Sequence, residues 1–165
     1  SLSEKERGVD KTNFGGWQSD DNLYKYEEFR WLLENIIEMG NQIAPDFSTT
    51  KRFNDGHLWA NINSKDAFNI VHTHPDAILS GAVYLKISHE DQGLIEFFDA
   101  REGSPTAHWQ CYTQFEEKTT LTTNVHSIAP EEGDILFFPG WLKHWVAPNA
   151  TNEDRISISF NMSMR

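Results

Sequence analysis

The sequence predicts a mainly β protein, a jelly roll (double-stranded β-helix) with one flanking N-terminal helix. Three observations support this fold class. One stretch of helical periodicity comes early, many short β-like runs follow it, and turn-forming residues such as Asp91-Gln92-Gly93 separate those runs. Because no further helices alternate with the strands, we expect packed antiparallel sheets and not a parallel α/β sheet.

The N-terminal part of the chain predicts one helix. Residues 1–20 are polar and contain glycine, which indicates an irregular lead-in with one short strand near Trp17. Helical spacing of apolar residues starts after Asp21 and Asn22, which are both good N-caps, and Pro45 ends it. We therefore predict an amphipathic helix over residues 21–44.

The remainder predicts a β core over residues 57–162, and the length of 165 residues fits a single domain spanning residues 1–165. Each predicted strand is short and ends at a turn. The predicted strands are Leu58–Ile62, Phe68–His74, Ile78–Ile87, Leu94–Phe98, Val125–Ile128, Asp134–Phe138, His144–Val146 and Ile156–Met162.

Composition restricts the class of function. Lys and Arg number 14 against 25 Asp and Glu, and the net charge of −11 argues against non-specific nucleic-acid binding. Cys111 is the only cysteine, so we expect a reducing compartment, with the cytoplasm as the default location. No apolar run is long enough to span a bilayer. Aromatic residues such as Trp17 and Trp141 leave both a monomer and a homodimer open.

Three histidines form a candidate metal site. His72 and His74 lie two residues apart in FNIVHTHPD, near the predicted end of a strand, so their side chains would leave on the same face. His144 follows another apolar run, in FPGWLKHWVAPN. Imidazole suits iron, zinc, copper and nickel, and three protein ligands leave positions for other molecules. An isolated His-x-His on an exposed strand is equally common without a metal.

A carboxylate provides an alternative ligand. His74-Pro75-Asp76 is also a His-x-Asp pattern, in which Asp76 would replace one of the first two histidines in a two-histidine, one-carboxylate set. If the strand ends at Pro75, Asp76 belongs to a turn and could hydrogen-bond a ligand imidazole instead. Asp99 is a weaker candidate. The residues alone leave these alternatives open.

The C-terminal run RISISFNM predicts an anion site. It alternates, so Arg155, Ser157, Ser159 and Asn161 share one face of a strand. Arginine is suited to gripping a carboxylate, and Ser157 can add a hydroxyl to the same anion. Tyr84, on another predicted strand, offers a phenol. An ordinary half-exposed strand, with Tyr84 as core packing, fits the same pattern.

Five segments, taken in order, resemble a family of 2-oxoglutarate- and iron(II)-dependent oxygenases known mainly from bacteria and their viruses, and more distantly the prolyl hydroxylases. They are WANIN, HTHPDAILSGAVYL, GLIEFFDAR, PEEGDILFFPGWLKHWVAPN and RISISFN. The resemblance implies iron(II), 2-oxoglutarate and dioxygen, with decarboxylation to succinate coupled to hydroxylation of a primary substrate. It further implies that Arg155 binds the distal carboxylate of 2-oxoglutarate, with Ser157 and Tyr84 assisting. His74 departs from the carboxylate usual in that superfamily.

Two other classes share parts of this pattern. A cupin-type metalloenzyme has a jelly roll, a His-x-His and a later histidine, but Ile78 and Leu79 stand where a cupin places a glutamate. A metal- or sugar-binding jelly-roll protein could use the six tryptophans for stacking, although it leaves the histidines unexplained. Residues 100–123, with Trp109 and Phe115, are a candidate lid over the oxygenase site.

Overall fold

The computed structural model of the chain describes residues 2–48, 50–100, 119 and 123–165. Two five-stranded sheets form the structure, and side chains from both line one interior cavity. The predicted mainly β, jelly-roll architecture with an N-terminal flanking helix is confirmed. Trp109 and Phe115 of the predicted lid lie outside the described residues, so the lid stays a prediction.

The elements follow one another in a simple order, helices first and then mostly strands. The helices are α1 (Leu2–Lys5) and α2 (Glu27–Gly40), with short 3-10 turns at Leu23–Lys25, Ala44–Asp46 and Glu90–Gln92. The strands are β1 (Asn13–Phe14), β2 (Trp17–Gln18), β3 (Asp55–Asn63), β4 (Phe68–His72), β5 (Leu79–Lys86), β6 (Ile95–Phe98), β7 (Val125–Ile128), β8 (Ile135–Pro139), β9 (His144–Val146) and β10 (Arg155–Ser163).

The two sheets divide the strands in the manner of a jelly roll. Sheet I has the order β1-β4-β9-β6-β7, and sheet II has the order β2-β3-β10-β5-β8. The pairings within both sheets are antiparallel. Strand β10 lies between β3 and β5 and pairs with β3 along its full length, from Arg155 opposite Asn63 to Ser163 opposite Asp55. The C-terminal strand is therefore at the centre of sheet II.

Helix α2 is shorter than the predicted helix over residues 21–44. Asp20 accepts hydrogen bonds from the Asp21 amide and the Asn22 side chain, which holds these residues in a local turn. The helix starts only after Tyr26, whose extended backbone interrupts the preceding 3-10 turn. At the other end, Pro45 lies inside a second 3-10 turn. Local side-chain hydrogen bonds thus displace the N-terminus that periodicity and capping preferences indicated.

The lead-in over residues 1–20 contributes an edge strand to each sheet. Strand β1 pairs with β4 in sheet I, and β2 pairs with β3 in sheet II. Gly15 between them has a φ of 71°, a conformation that glycine adopts without strain. A Cβ at Gly16 would lie 2.7 Å from the carbonyl oxygen of Ile62. This glycine pair lets the chain cross closely from one sheet to the other.

The main hydrophobic core lies between α2 and the outer face of sheet II. Leu33 and Ile36 of the helix pack in one cluster with Leu58, Ile158 and Phe160 of the sheet. A smaller cluster inside the jelly roll consists of Ile95, Phe97 and Phe138, with Leu136, Leu142 and Val146 packed against it. The interior of sheet II is consequently available for polar side chains. None of the helices in the described ranges is long and apolar enough to cross a membrane.

The position of this core predicts how two matched substitutions differ. Leu58 is fully buried under α2, whereas Leu85 in β5 is 48% exposed. Leu58→Ala should lower the free energy of unfolding by about 2–5 kcal/mol, because it leaves a cavity between helix and sheet. Leu85→Ala should cost less than about 1 kcal/mol. Urea denaturation measures both, and equal losses would contradict the placement of the core.

Candidate metal centre and anion pocket

Three histidines meet where β4 ends and β9 begins. His72 is the last residue of β4, His144 is the first of β9, and the two stand opposite each other in the antiparallel pair. Their ring centroids are 4.3 Å apart, and those of His74 and His144 are 5.2 Å apart. The candidate ligand nitrogens of all three histidines lie within 4.8 Å of one another. The structure therefore brings together the predicted histidine set.

Backbone carbonyl groups orient two of these imidazoles. The Nδ1 atom of His72 lies 2.7 Å from the Ile70 oxygen, and that of His144 lies 2.8 Å from the Leu142 oxygen. With Nδ1–H donating to the carbonyl, each ring keeps its Nε2 lone pair for another partner. The His74 ring stacks on His144 with an interplanar angle of 12°, and their Nε2 atoms are 3.4 Å apart.

The three rings are neutral at physiological pH. Burial lowers the pKa of His72, although the hydrogen bond to Ile70 opposes the shift. Burial lowers the pKa of His74 to about 3, and repulsion from the other two histidines adds to this. The pKa of His144 falls to about 4, mainly through burial. Neutral imidazole is the form that coordinates metals, and imidazole nitrogen suits iron(II), so this donor set fits the metal that the resemblance implies.

His74 reaches the cluster from a turn. The sequence had predicted that this residue ends a strand. Strand β4 ends at His72, and the His74 amide donates to the Gly140 oxygen at 2.7 Å. The His74 oxygen accepts from the Ala77 amide at 3.1 Å. Asp76 follows in this turn, is exposed, and lies outside the three-histidine group, as does Asp99. The structure thus brings His74, and not Asp76 or Asp99, to His72 and His144.

Arg155 is a buried cation in the same cavity. It begins β10 and is 2% exposed. Its Nη1 donates to the oxygens of Gln92 and Gly93, at 2.5 and 3.1 Å. In the part of the chain that the structure describes, no carboxylate forms an ion pair with it. Burial lowers its pKa, but a guanidinium stays charged. A buried charge without a counterion is unfavourable, so an anionic ligand bound next to Arg155 would be stabilised.

Tyr84 and Ser157 lie beside Arg155. They are paired across β5 and β10, and both are buried. Burial raises the pKa of Tyr84 to about 12, so its phenol remains a hydrogen-bond donor. All three side chains line one cavity with His72, His74 and His144. The alternative of an ordinary strand with its polar face in water therefore does not hold at Arg155 and Ser157. The cavity has cationic and hydroxyl groups for an anion near imidazoles for a metal.

Two residues that sequence reasoning treated only as a turn hold the arginine. Gln92 is 1% exposed; its Oε1 accepts from the Ser88 amide at 2.6 Å, and its Nε2 donates to the Glu153 oxygen at 2.9 Å. Gly93 has a φ of 99°, and a Cβ there would lie 2.5 Å from Nη1 of Arg155. No motif signalled this role, because it depends on a contact between residues more than sixty positions apart.

The sequence analysis also missed the interior face of β3. Trp59 and Asn61 line the cavity from this strand, and Gln18 of β2 stands opposite Asn61. The Trp59 ring lies 5.7 Å from that of His74. The alternation in HLWANIN, polar or aromatic at every second residue, is the same signal that identified the Arg155 face and could have indicated these residues.

Comparisons with known proteins identify a family and a shared fold. A family model described as "Putative 2OG-Fe(II) oxygenase" matches residues 57–161. A comparison with curated protein sequences gives no match.

Solved structures share the fold. A prolyl-4-hydroxylase from Pseudomonas putida has a TM-score of 0.66 at 16% identity, covering 99% of this chain and 79% of that one. A 2OG-Fe(II) oxygenase-family oxidoreductase from Burkholderia pseudomallei has a TM-score of 0.58 at 18% identity, covering 82% of this chain and 57% of that one. HygX from Streptomyces hygroscopicus, with nickel and 2-oxoglutarate bound, has a TM-score of 0.58 at 14% identity, covering 98% and 76%. The chain spans less than two thirds of the Burkholderia protein.

The family match runs from His57 in β3 to Asn161 in β10 and includes the three histidines, Tyr84, Arg155 and Ser157. It covers well over half of the chain, which decides against the cupin and sugar-binding alternatives. The enzyme class and the cofactors implied by the resemblance are confirmed with the family: iron(II), 2-oxoglutarate and dioxygen. This chain belongs to the 2-oxoglutarate- and iron(II)-dependent oxygenases.

Proposed function

We propose that this chain is a hydroxylase that binds iron(II) through His72, His74 and His144 and binds 2-oxoglutarate through Arg155. The observation that carries this proposal is the meeting of three imidazoles and one buried guanidinium, which pairs with no carboxylate of the described residues, in a single cavity. Iron(II), when bound, would supply the reaction with dioxygen that converts 2-oxoglutarate to succinate and carbon dioxide, with one oxygen atom entering succinate and the other hydroxylating a C–H bond of the primary substrate.

The protein's share of the chemistry is to bind, orient and exclude water. Arg155 fixes the distal carboxylate of 2-oxoglutarate, with hydrogen bonds from the Tyr84 phenol and the Ser157 hydroxyl. The keto-acid end of the co-substrate then points towards the histidine cluster. Apolar side chains of Ile95, Phe138 and Val146 line the same cavity and limit the access of water.

The guanidinium is preorganised before the co-substrate arrives. Both hydrogen bonds that the described residues make with it use Nη1, which leaves the rest of the fork for a carboxylate. Gln92 ties the loop that supplies these carbonyls to the segment just before β10, through the Glu153 oxygen. Because this loop is held in place, Arg155 loses little freedom when the co-substrate binds.

The proposed ligand set has three histidines, with Asp76 as the alternative to one of the first two. Support for His74 comes from its Nε2 atom, 3.4 Å from that of His144, and from a turn fixed by hydrogen bonds to Gly140 and Ala77. Asp76 is exposed at the edge of a neighbouring cavity that His72 and His74 also line. From there it is suited to contact a substrate or a ligand imidazole.

We further propose that the protein acts in the cytoplasm and does not bind nucleic acid non-specifically. A single cysteine supports a reducing compartment, and the net charge of −11 supports repulsion of phosphate backbones. Whether it is a monomer or a homodimer stays a prediction from the sequence.

Removing the cation should separate co-substrate binding from metal binding. Arg155→Met should weaken 2-oxoglutarate binding at least about 30-fold, because truncating one partner of a buried charge pair costs about 2–5 kcal/mol. Iron(II) affinity should stay unchanged. The measurement is an anaerobic titration of the iron(II) protein with 2-oxoglutarate, followed by its visible charge-transfer band. Arg52→Met, at an exposed arginine, is the control. Equal loss of iron and 2-oxoglutarate would show that Arg155 is misassigned or needed for folding.

The ligand set is tested by comparing His74→Ala with Asp76→Ala. We expect His74→Ala to lose iron on gel filtration, since only two imidazoles remain, while Asp76→Ala retains one equivalent. Elemental analysis of the eluted protein measures this directly, and circular dichroism checks that both variants are folded. The three-histidine set is wrong if Asp76→Ala is the variant that loses its metal.

The role of the Gln92–Gly93 loop is tested by two glycine substitutions. Gly93 and Gly133 both have positive φ angles, 99° and 92°, so alanine strains the backbone at either. At Gly93 the new Cβ would clash with the Ala147 carbonyl oxygen and lie 2.5 Å from Nη1 of Arg155; at Gly133 nothing lies within 4 Å. Gly93→Ala should raise the KM for 2-oxoglutarate about tenfold or more, at overpacking costs of about 1–3 kcal/mol. Gly133→Ala should leave that KM near the wild-type value. An equal rise in both would assign the effect to backbone strain alone.

A further inference from the structure

We propose that the primary substrate is a small, neutral or cationic ring compound that carries hydroxyl or amino groups and lies on Trp59. The inference rests on the proposed function, because it takes the histidine cluster as the place where the substrate is oxidised. It assigns a substrate class to a cavity that the co-substrate does not fill.

This substrate cavity adjoins the histidine cluster. It has a volume of about 290 Å³, and it shares Trp59, His72 and His74 with the cavity that contains Arg155. The remaining lining includes Gln18, Thr73 and Asn161. Its size is close to the lower end of the roughly 300–1,000 Å³ typical of small-molecule sites. A cavity of this size accommodates one ring unit of a substrate within reach of the metal.

Gln18 shows what kind of polar group the cavity accepts. The side chain is 3% exposed, and its Oε1 is buried without a hydrogen-bond partner among the described residues. Asn61 stands opposite Gln18 in the β2–β3 pair; its Oδ1 is also buried without a partner among the described residues, but this side chain lines the cavity that contains Arg155. Buried acceptors without donors are unfavourable, and a ligand that brings O–H or N–H groups would satisfy them. The substrate should therefore be rich in donors.

Trp59 supplies the apolar surface of the cavity. Its indole is half-buried, and its ring plane is tilted by 34° to that of His74 at a centroid distance of 5.7 Å. A flat aromatic face next to a metal ligand suits the C–H face of a saturated ring. Such a ring would present its C–H bonds close to the histidine cluster while its hydroxyl or amino groups reach Gln18.

The charges at the cavity disfavour anions. Lys11 lies on its edge but is already paired with Asp21 at 3.3 Å. Asp76 also lines the cavity, and no lysine or arginine of the described ranges forms an ion pair with it. The whole chain carries a net charge of −11. A phosphorylated substrate would meet repulsion here, whereas an ammonium group would be attracted.

A prolyl ring fits these observations less well than a ring with hydroxyl or amino groups. It offers C–H groups to Trp59 but no N–H or O–H group of its own to the Oε1 atom of Gln18. The buried acceptor would then remain unpaired with the ligand bound, which weakens binding. The Oε1 atom of Gln18 thus favours the binding of rings that carry O–H or N–H groups over the binding of prolyl rings.

Calorimetric titration of the iron(II) and 2-oxoglutarate protein, without oxygen, tests the substrate class with four probes. D-glucosamine and myo-inositol represent the proposed class, glucose 6-phosphate keeps the ring but adds negative charge, and N-acetylproline N′,N′-dimethylamide represents a prolyl ring without any N–H or O–H group. We expect the first two to bind at least tenfold more tightly than the other two. Tighter binding of the phosphate or the prolyl compound, or no binding of glucosamine and inositol, would overturn the proposal.

A variant links the binding to the cavity. Gln18→Met keeps the side-chain length and removes the acceptor, and it should weaken glucosamine binding at least tenfold. Gln42→Met, at an exposed glutamine, is the matched control and should leave the affinity unchanged. Titration of each protein with 2-oxoglutarate keeps the two proposals apart. If 2-oxoglutarate binds normally and the probes do not rank as expected, the substrate class is wrong; if 2-oxoglutarate itself does not bind, the proposed function fails. The probe ranking on the unmodified protein decides the matter even if Gln18→Met does not fold.

Discussion

The strict alternation of β10 is the constraint on which the rest of this structure depends. Successive side chains of a strand point to opposite faces, and β10 is paired on both edges, so each of its residues is committed to one side of sheet II. Ile158 and Phe160 face the helix, whereas Arg155 and Ser157 face the interior cavity. A shift of one residue in register would exchange the core with the site.

This arrangement explains why the chain needs its flanking helix. A small jelly roll is normally stabilised by apolar side chains between its two sheets. Here much of the inner face of sheet II is polar, and only the small cluster around Phe97 and Phe138 is apolar inside. The larger core lies on the outer face of sheet II, where α2 covers it. The packing of helix α2 thus provides the hydrophobic stabilisation that the polar interior, with its site for metal and co-substrate, does not provide.

Sequence reasoning predicted the features that depend on local patterns. The alternation of residues predicted the face of β10 that carries Arg155. The short apolar runs predicted most of the strands within one or two residues of their observed bounds. It failed where tertiary contacts compete with local preference. Helix α2 starts later than predicted because the Asp20 side chain accepts a hydrogen bond from the Asp21 amide. His74 lies in a turn because its amide donates a hydrogen bond to the Gly140 oxygen. The support of Arg155 by Gln92 has no local signature, since it joins a loop to a strand more than sixty residues away.

The donor set of the proposed metal site also has a consequence for thermodynamic linkage. Three imidazoles bring no negative charge to a divalent cation, and Arg155, which lines the same cavity, is itself positive, whereas Asp76 lines the neighbouring cavity. A two-histidine, one-carboxylate site would offset part of the metal charge before any co-substrate arrives. Here the 2-oxoglutarate dianion, which would contact both the metal and Arg155, would supply such compensation. Metal and co-substrate should each raise the affinity of the protein for the other by the same factor. The enzyme would then hold its iron most firmly when 2-oxoglutarate is abundant, so that the supply of this metabolite sets the fraction of active enzyme.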